Sequence, residues 1–183
     1  MRVIAGSRRS LVLVSPKGDN TRPTQDRTKE TLFNVLLPDL CGGDFLDLYS
    51  GSGAIAIEAL SRGESGAVLV ENNRDAVECI KKNLKTTDFT DRAVLMECNV
   101  TDALKRLAGH KPFDVVFMDP PYHAGYERGV FELLRDADYV DEYTVIVCEA
   151  LKDTDMSFLP ELGFRVYKTK EYKTNCHIFA VRA

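Results

Sequence analysis

From residue 45 onward, short apolar runs alternate with segments of helical period. Phe45–Tyr49 reads as a strand and Gly53–Ser61 as a helix. Ala67–Glu71 and Arg74–Leu84 repeat the pair, as do Ala93–Met96 with a helix over 101–108, and Val115–Met118 with a helix over 126–135. Thr144–Cys148 is a further strand. Such strand–helix units build a mostly parallel, doubly wound α/β sheet with helices on both faces. The last two apolar runs, Gly163–Lys170 and Cys176–Val181, have only a turn between them, so they form a hairpin. A closing hairpin places one antiparallel strand near the sheet edge.

Ahead of this array, residues 2–5 and 11–14 flank a Gly-Ser-Arg-Arg turn and read as a small hairpin. Thr24 is placed to cap a helix over 25–37, with Thr28, Leu32, Val35 and Leu36 on one face. There is no internal repeat and no linker long enough to separate a pair of domains. We therefore expect one domain over 1–183, with 1–21 as a hairpin extension. No apolar run approaches the roughly 20 residues of a membrane span, and the first residues are too short for a signal peptide. The five cysteines form no C-x-x-C pair, and the three histidines share no ligand spacing. The expectation is a cytoplasmic, reduced, metal-free monomer. The formal net charge of −4 is unevenly spread: residues 1–30 carry +4 and the rest −8. A basic head on an acidic body is a candidate footprint for phosphate, or an ordinary solvated surface.

Two motifs carry chemistry. Asp47-Leu48-Tyr49-Ser50-Gly51-Ser52-Gly53-Ala54-Ile55-Ala56 joins a strand to a helix, and Gly51, Gly53 and Ala56 match G-x-G-x-x-G/A. The glycines allow a tight turn and a close ligand approach. Glu71 ends the next strand, where a carboxylate holds ribose hydroxyls. No Gly-Lys-Ser/Thr follows, which excludes a Walker loop. A dinucleotide would set its pyrophosphate on the helix N-terminus, where the Asp47 carboxylate repels it. The ammonium of S-adenosylmethionine suits Asp47, directly or through water. The second motif, Asp119-Pro120-Pro121-Tyr122, follows the apolar run Phe113–Met118. Its prolines remove two N–H donors, which leaves carbonyls, a carboxylate and an aromatic ring: a loop suited to a planar ligand bearing an amine. D-P-P-Y resembles the catalytic motif of methyltransferases acting on exocyclic amines of nucleobases. Together the motifs favour S-adenosylmethionine as cofactor. The candidate cofactor residues are Asp47, Tyr49, Ser50, Gly51, Gly53, Glu71, Asn72, Asn99 and Val100. Asn99 stands where enzymes of this class often have an acid for the adenine amine.

The chain as a whole resembles the bacterial 16S rRNA (guanine-N2)-methyltransferases, the RsmD family. The matching stretches are Arg22-Pro23-Thr24 with Arg27, Glu30 and Phe33-Asn34; Asp47–Gly53 with Glu58-Ala59-Leu60-Ser61-Arg62-Gly63; Glu71 with Asn83; and Asp119–Tyr122. The resemblance implies a Rossmann-like class I methyltransferase fold with a seven-stranded sheet. It also implies N2-methylation of one guanine, guanine 966, in 16S rRNA of an assembled or assembling small subunit. On this reading Asp119 and the Pro120 carbonyl grip the amine, Pro121 stiffens the loop, and Tyr122 stacks on the base. Arg2, Arg8, Arg9, Arg22 and Arg27 are candidate phosphate contacts; Arg22 and Arg27 can equally brace the active-site wall. The rivals are a DNA adenine-N6 methyltransferase, for which no separate sequence-reading segment is available, and an inactive rRNA-binding assembly factor.

Overall fold

The computed structural model describes residues 1–16, 23–122 and 124–183, so Arg22 and His123 lie outside the described residues. The strands are β1 (Asp44–Leu48), β2 (Gly66–Val70), β3 (Ala93–Met96), β4 (Val115–Met118), β5 (Val145–Leu151), β6 (Phe164–Glu171) and β7 (Asn175–Arg182). They form one sheet in the order β3-β2-β1-β4-β5-β7-β6. β7 is antiparallel to both neighbours, which leaves the edge strand β6 running with the other five. This is the Rossmann-like arrangement expected, with the reversed strand one place in from the edge.

The helices are α1 (Pro23–Leu36), α2 (Ala54–Arg62), α3 (Arg74–Thr87), α4 (Val100–Arg106) and α5 (Tyr126–Arg135). Alternation along the strands sorts the core into two layers. Phe45, Leu69, Val115, Phe117 and Val147 pack with Leu32, Phe33, Ile57 and Ile80 of α1, α2 and α3. Leu46, Leu48, Val68, Val116 and Ile146 pack with Val100, Leu104, Phe131 and Leu134 of α4 and α5.

Most boundaries differ from the sequence reading by a residue or two, and three of the differences have a clear local cause. α1 starts at Pro23, so Thr24 lies inside its first turn and is not the cap. Proline suits the first helical position because its φ is preset and its missing N–H is not needed there. α3 runs one turn past Leu84, because Thr87 Oγ1 donates to the Asn83 carbonyl at 2.8 Å and Asp88 closes the helix at φ 58°. β5 continues to Leu151 because its pairing with β7 continues to Asn175.

The head makes one ladder pair, Arg2 with Val12. Its turn lies on the last turn of α2, where the Ser7 N–H donates to the Ser61 carbonyl at 2.8 Å. A Cβ on Gly6 would fall 1.8 Å from that same carbonyl oxygen, so only glycine fits. The head is pinned by a buried charge cluster. Glu58, fully buried, pairs with Lys29 at 3.0 Å and Arg62 at 2.9 Å. It also accepts the Ile4 and Ala5 N–H groups at 2.8 and 2.9 Å. Burial lowers the pKa of Lys29, and Glu58 pulls it back up. Arg62 also lies over the Phe33 ring at 4.9 Å. One carboxylate thus joins the head, α1 and α2. Removing one partner of a buried ion pair strands the other charges in the interior, at about 3–5 kcal/mol. Glu58→Ala is therefore expected to lower the unfolding free energy by about that amount in urea titrations. A loss below about 1 kcal/mol would mean the cluster is dispensable.

Candidate active site

β1 lies between β2 and β4, so the chain leaves it in opposite directions and a crevice opens at the carboxyl ends of β1 and β4. The loop after β1 lines that crevice. Tyr49, Gly51 and Gly53 have φ of 63°, 56° and 74°. For a bulky residue such as Tyr49 this is an outlier, of the kind that clusters at functional sites. Three side chains hold the loop. Ser50 Oγ donates to the Asp47 carbonyl at 2.7 Å and accepts the Val70 N–H at 3.0 Å. Asn83 donates to the Ser52 carbonyl at 2.9 Å and exchanges bonds with the Val14 backbone. Glu71 accepts the Gly51 N–H at 2.9 Å on one oxygen and the Asn72 and Asn73 N–H groups at 2.8 Å on the other. Asp47 is 1% exposed and accepts the Ala56 N–H at 3.2 Å, in the first turn of α2. Burial pushes its pKa up to about 8; the Ala56 bond opposes this and nearby Glu71 adds to it.

A cleft of about 220 Å³ opens beside this loop, lined by Tyr49, Val70, Glu71, Asn72, Cys98, Asn99, Val100, Thr101, Pro121 and Tyr126. The sequence-predicted residues Tyr49, Glu71, Asn72, Asn99, Val100 and Pro121 meet here. Asp47, Ser50, Gly51 and Gly53 shape the loop without lining the cleft. Asn99 lines it, but its side chain caps α4: Oδ1 accepts the Asp102 N–H and Nδ2 donates to the Asp102 carboxylate, both at 2.8 Å. Sequence reasoning missed Tyr126, whose ring stacks on Tyr49 at 6.3 Å and 22°. Its place four residues after D-P-P-Y carries no local signal that separates it from a surface tyrosine.

The D-P-P-Y loop leaves β4 at the same rim, with Pro120 buried and Asp119, Pro121 and Tyr122 exposed. A partly buried network behind it was not legible from spacing. The Tyr122 hydroxyl donates to Glu149 at 3.1 Å. Glu149 also bonds Asn175 and, at 3.0 Å, His177 Nε2; His177 Nδ1 meets the Tyr172 hydroxyl at 3.0 Å. Burial alone would raise the Glu149 pKa, but the bonds from His177, Asn175 and Tyr122 outweigh it and hold the carboxyl below its ordinary 4.5. Burial, with Glu149 and Asp119 nearby, raises the pKa of the Tyr122 phenol. The Glu149 bond orients the Tyr122 ring, which stays 44% exposed to a ligand.

The basic candidates divide. Arg8 sits at the carboxyl ends of α2 and α3, on the opposite side of the sheet ends from D-P-P-Y. Its Nε donates to the Thr87 carbonyl at 2.6 Å, and its guanidinium lies 5.3 Å from the centre of the Phe89 ring. Arg9 is exposed beside it. Arg2 pairs with Asp26 at 3.1 Å, and Arg27 is exposed on α1. Among the described residues, no group of three or more His, Cys, Asp or Glu is placed to hold a metal, and no helix is long and apolar enough to cross a membrane.

Comparison with known proteins fits this geometry. The family model described as "Conserved hypothetical protein 95" matches residues 1–180. The chain is 35% identical over 154 residues to "Ribosomal RNA small subunit methyltransferase D" of Haemophilus influenzae, covering 84% of this chain and 80% of that protein. It is 34% identical over 161 residues to the protein of the same name from Escherichia coli, covering 87% and 79%. The solved structure of yhhF from Escherichia coli superposes with a TM-score of 0.84 at 30% identity, covering 100% of this chain and 97% of that one. The fold is that of the Rossmann-like class I methyltransferases.

The Glu149 network yields a signed pH prediction. Its folded pKa lies below 4.5, so its stabilisation is complete above that value and lost as pH falls through the folded pKa. Glu149→Gln is expected to cost about 1.5–3 kcal/mol at neutral pH, as for hydrogen bonds to a charged group. The gap from the parent protein should narrow well below pH 4.5. Urea unfolding at both pH values checks this; a gap that does not change with pH would contradict it.

Proposed function

We propose, for a chain that belongs to the Conserved hypothetical protein 95 family, the RsmD family, that it methylates the N2 amine of guanine 966 in 16S rRNA. The donor is S-adenosylmethionine and the substrate an assembled or assembling small subunit. The protein works as a cytoplasmic monomer. The observation that carries this reading is the shared cleft: residues of the G-x-G loop and Pro121 of D-P-P-Y line one crevice. The DNA reading has no structural support of its own, since all seven strands of the described residues belong to one sheet.

The cleft residues fit the donor. Tyr49, Val100 and Tyr126 offer apolar and aromatic walls for an adenine, and Asn72 stands beside them. Three N–H groups occupy Glu71, while a carboxylate has about four acceptor sites, so one is left for a ribose hydroxyl. S-adenosylmethionine supplies a methyl group already activated by its sulfonium. The guanine amine is a poor nucleophile, because its lone pair is delocalised into the ring. Asp119 and the Pro120 carbonyl accept its N–H bonds, localise the lone pair and aim it into the cleft. Tyr122 stacks on the base once it has left any helix. Positioning and charge placement then carry the catalysis.

The decisive assay offers labelled donor with unmodified small subunits, free rRNA or duplex DNA, followed by mapping of the product. Label on that one guanine is expected; label on adenine of DNA would overturn the reading. Asp119→Ala is expected to keep donor affinity and abolish single-turnover transfer, and a variant with parental rates would remove Asp119 from the chemistry.

Asp47 gives a second test. Its folded pKa of about 8 means the donor-free protein carries this proton across the neutral range. An ammonium group beside it favours the ionised form. Donor binding should therefore release a proton below pH of about 8, and affinity should rise with pH up to that value. Calorimetry in buffers of different ionisation enthalpy measures the release, which Asp47→Asn should eliminate. The same release from the variant would exclude Asp47 as its source.

A further inference from the structure

The basic head is not the only cationic stretch of this acidic chain. β6 is an edge strand, exposed at every residue from Arg165 to Glu171. It carries Arg165, Lys168 and Lys170, and Lys173 follows in the turn. The one acid of the stretch, Glu171, is paired with Lys152 at 3.2 Å. Among the described residues, none of the four cations has a carboxylate at ion-pair distance. Lysines on an edge strand also discourage edge-to-edge aggregation, so charge alone does not decide their use.

Register and direction do. β6 runs with the parallel strands, so its carboxyl end lies on the rim that bears D-P-P-Y. After a bulge at Tyr167, Lys168 pairs with Phe179 and Lys170 with His177. Opposed residues share a sheet face, so both lysines stand on the face of His177. His177 in turn pairs with Glu149, and Glu149 holds Tyr122. Three strand spacings, about 14 Å, separate β4 from β6. Tyr167 is 41% exposed, and Tyr172 closes the strip, its ring packed edge-on against His177 with the ring centres 4.9 Å apart. Lysines interleaved with accessible tyrosines are what a single-stranded nucleic acid meets on a binding surface. By contrast, Arg8 is committed to the carboxyl end of α3, at the far end of the strands.

We infer that Lys168, Lys170 and Tyr172 form a strip that holds the RNA phosphates flanking the base in the D-P-P-Y loop. Asn175 and His177 connect this strip to Tyr122 through Glu149. The inference rests on the RNA reading above and adds where the strand runs.

The test uses the full chain with Lys168→Gln and Lys170→Gln together, and unmodified small subunits carrying their rRNA. Each phosphate contact on a single strand contributes about 0.7 to the slope of log affinity against log salt. The double variant should bind RNA more weakly, lose about 1.4 of that slope, and keep its donor affinity and unfolding midpoint. Lys82→Gln with Lys85→Gln on α3 removes the same charge elsewhere and should leave affinity and slope nearly unchanged. RNA affinity and slope equal to the parent's, in a variant that keeps its unfolding midpoint, would overturn the strip. Equal losses in both double variants would also overturn it, by reducing the effect to net charge. If the parent methylates no RNA at all, the functional reading fails and the strip fails with it. Methylation by the parent with no difference in the variant condemns the strip alone.

Discussion

Everything at the carboxyl rim of the sheet depends on how the chain leaves β1. The loop must bend sharply enough for three residues to take positive φ, one of them Tyr49, and it must not relax. Glu71 prevents that by accepting N–H groups from the loop and from the β2–α3 turn at once. Asn83 does the same from α3. Because the crossovers diverge at β1, the bend opens a crevice and does not collapse onto a neighbouring strand. The residues that shape the crevice therefore differ from those that line it, and Asp47, Ser50 and the glycines belong to the first group.

The second support lies behind the site. Glu58 gathers Lys29, Arg62 and two backbone N–H groups of the head around one buried carboxylate. The E-A-L-S-R-G stretch carries this cluster, with Ser61 receiving the head's turn. Its role is architectural: it secures the head and α1 against α2. Buried ion pairs contribute little net stability compared with apolar packing, but they penalise every arrangement that leaves one charge alone.

Most of the architecture was legible in the chain. Strand and helix periods located the seven strands and five helices of the described residues, with errors at their ends, while the expected head hairpin reduces to the one bridge of Arg2 with Val12. The ends were decided by contacts that periodicity does not contain: Thr87 bonding back one turn, β7 extending the pairing of β5, Pro23 starting α1. The cleft was legible to the extent that glycines, an acid and D-P-P-Y fall at strand ends. Tyr126, Cys98 and Thr101 were not, because nothing local separates a cleft tyrosine or cysteine from a surface or core one.

The sequence by itself determined the local backbone: the hydrophobic period, the left-handed glycine turn, the proline-stiffened loop and the acid at the end of β2. These follow from sterics and patterning within a few residues. Tertiary structure alone decided which polar groups meet. Glu149 and His177 lie 28 residues apart and come together because β7 inserts between β5 and β6. Arg8 turns to the carboxyl end of α3, 79 residues on. Asn99 spends its side chain on its own helix, while two lysines of an edge strand come level with the D-P-P-Y rim. A buried or aimed charge takes its role from the partner it reaches, and that partner is set by strand order, which no short window of sequence encodes.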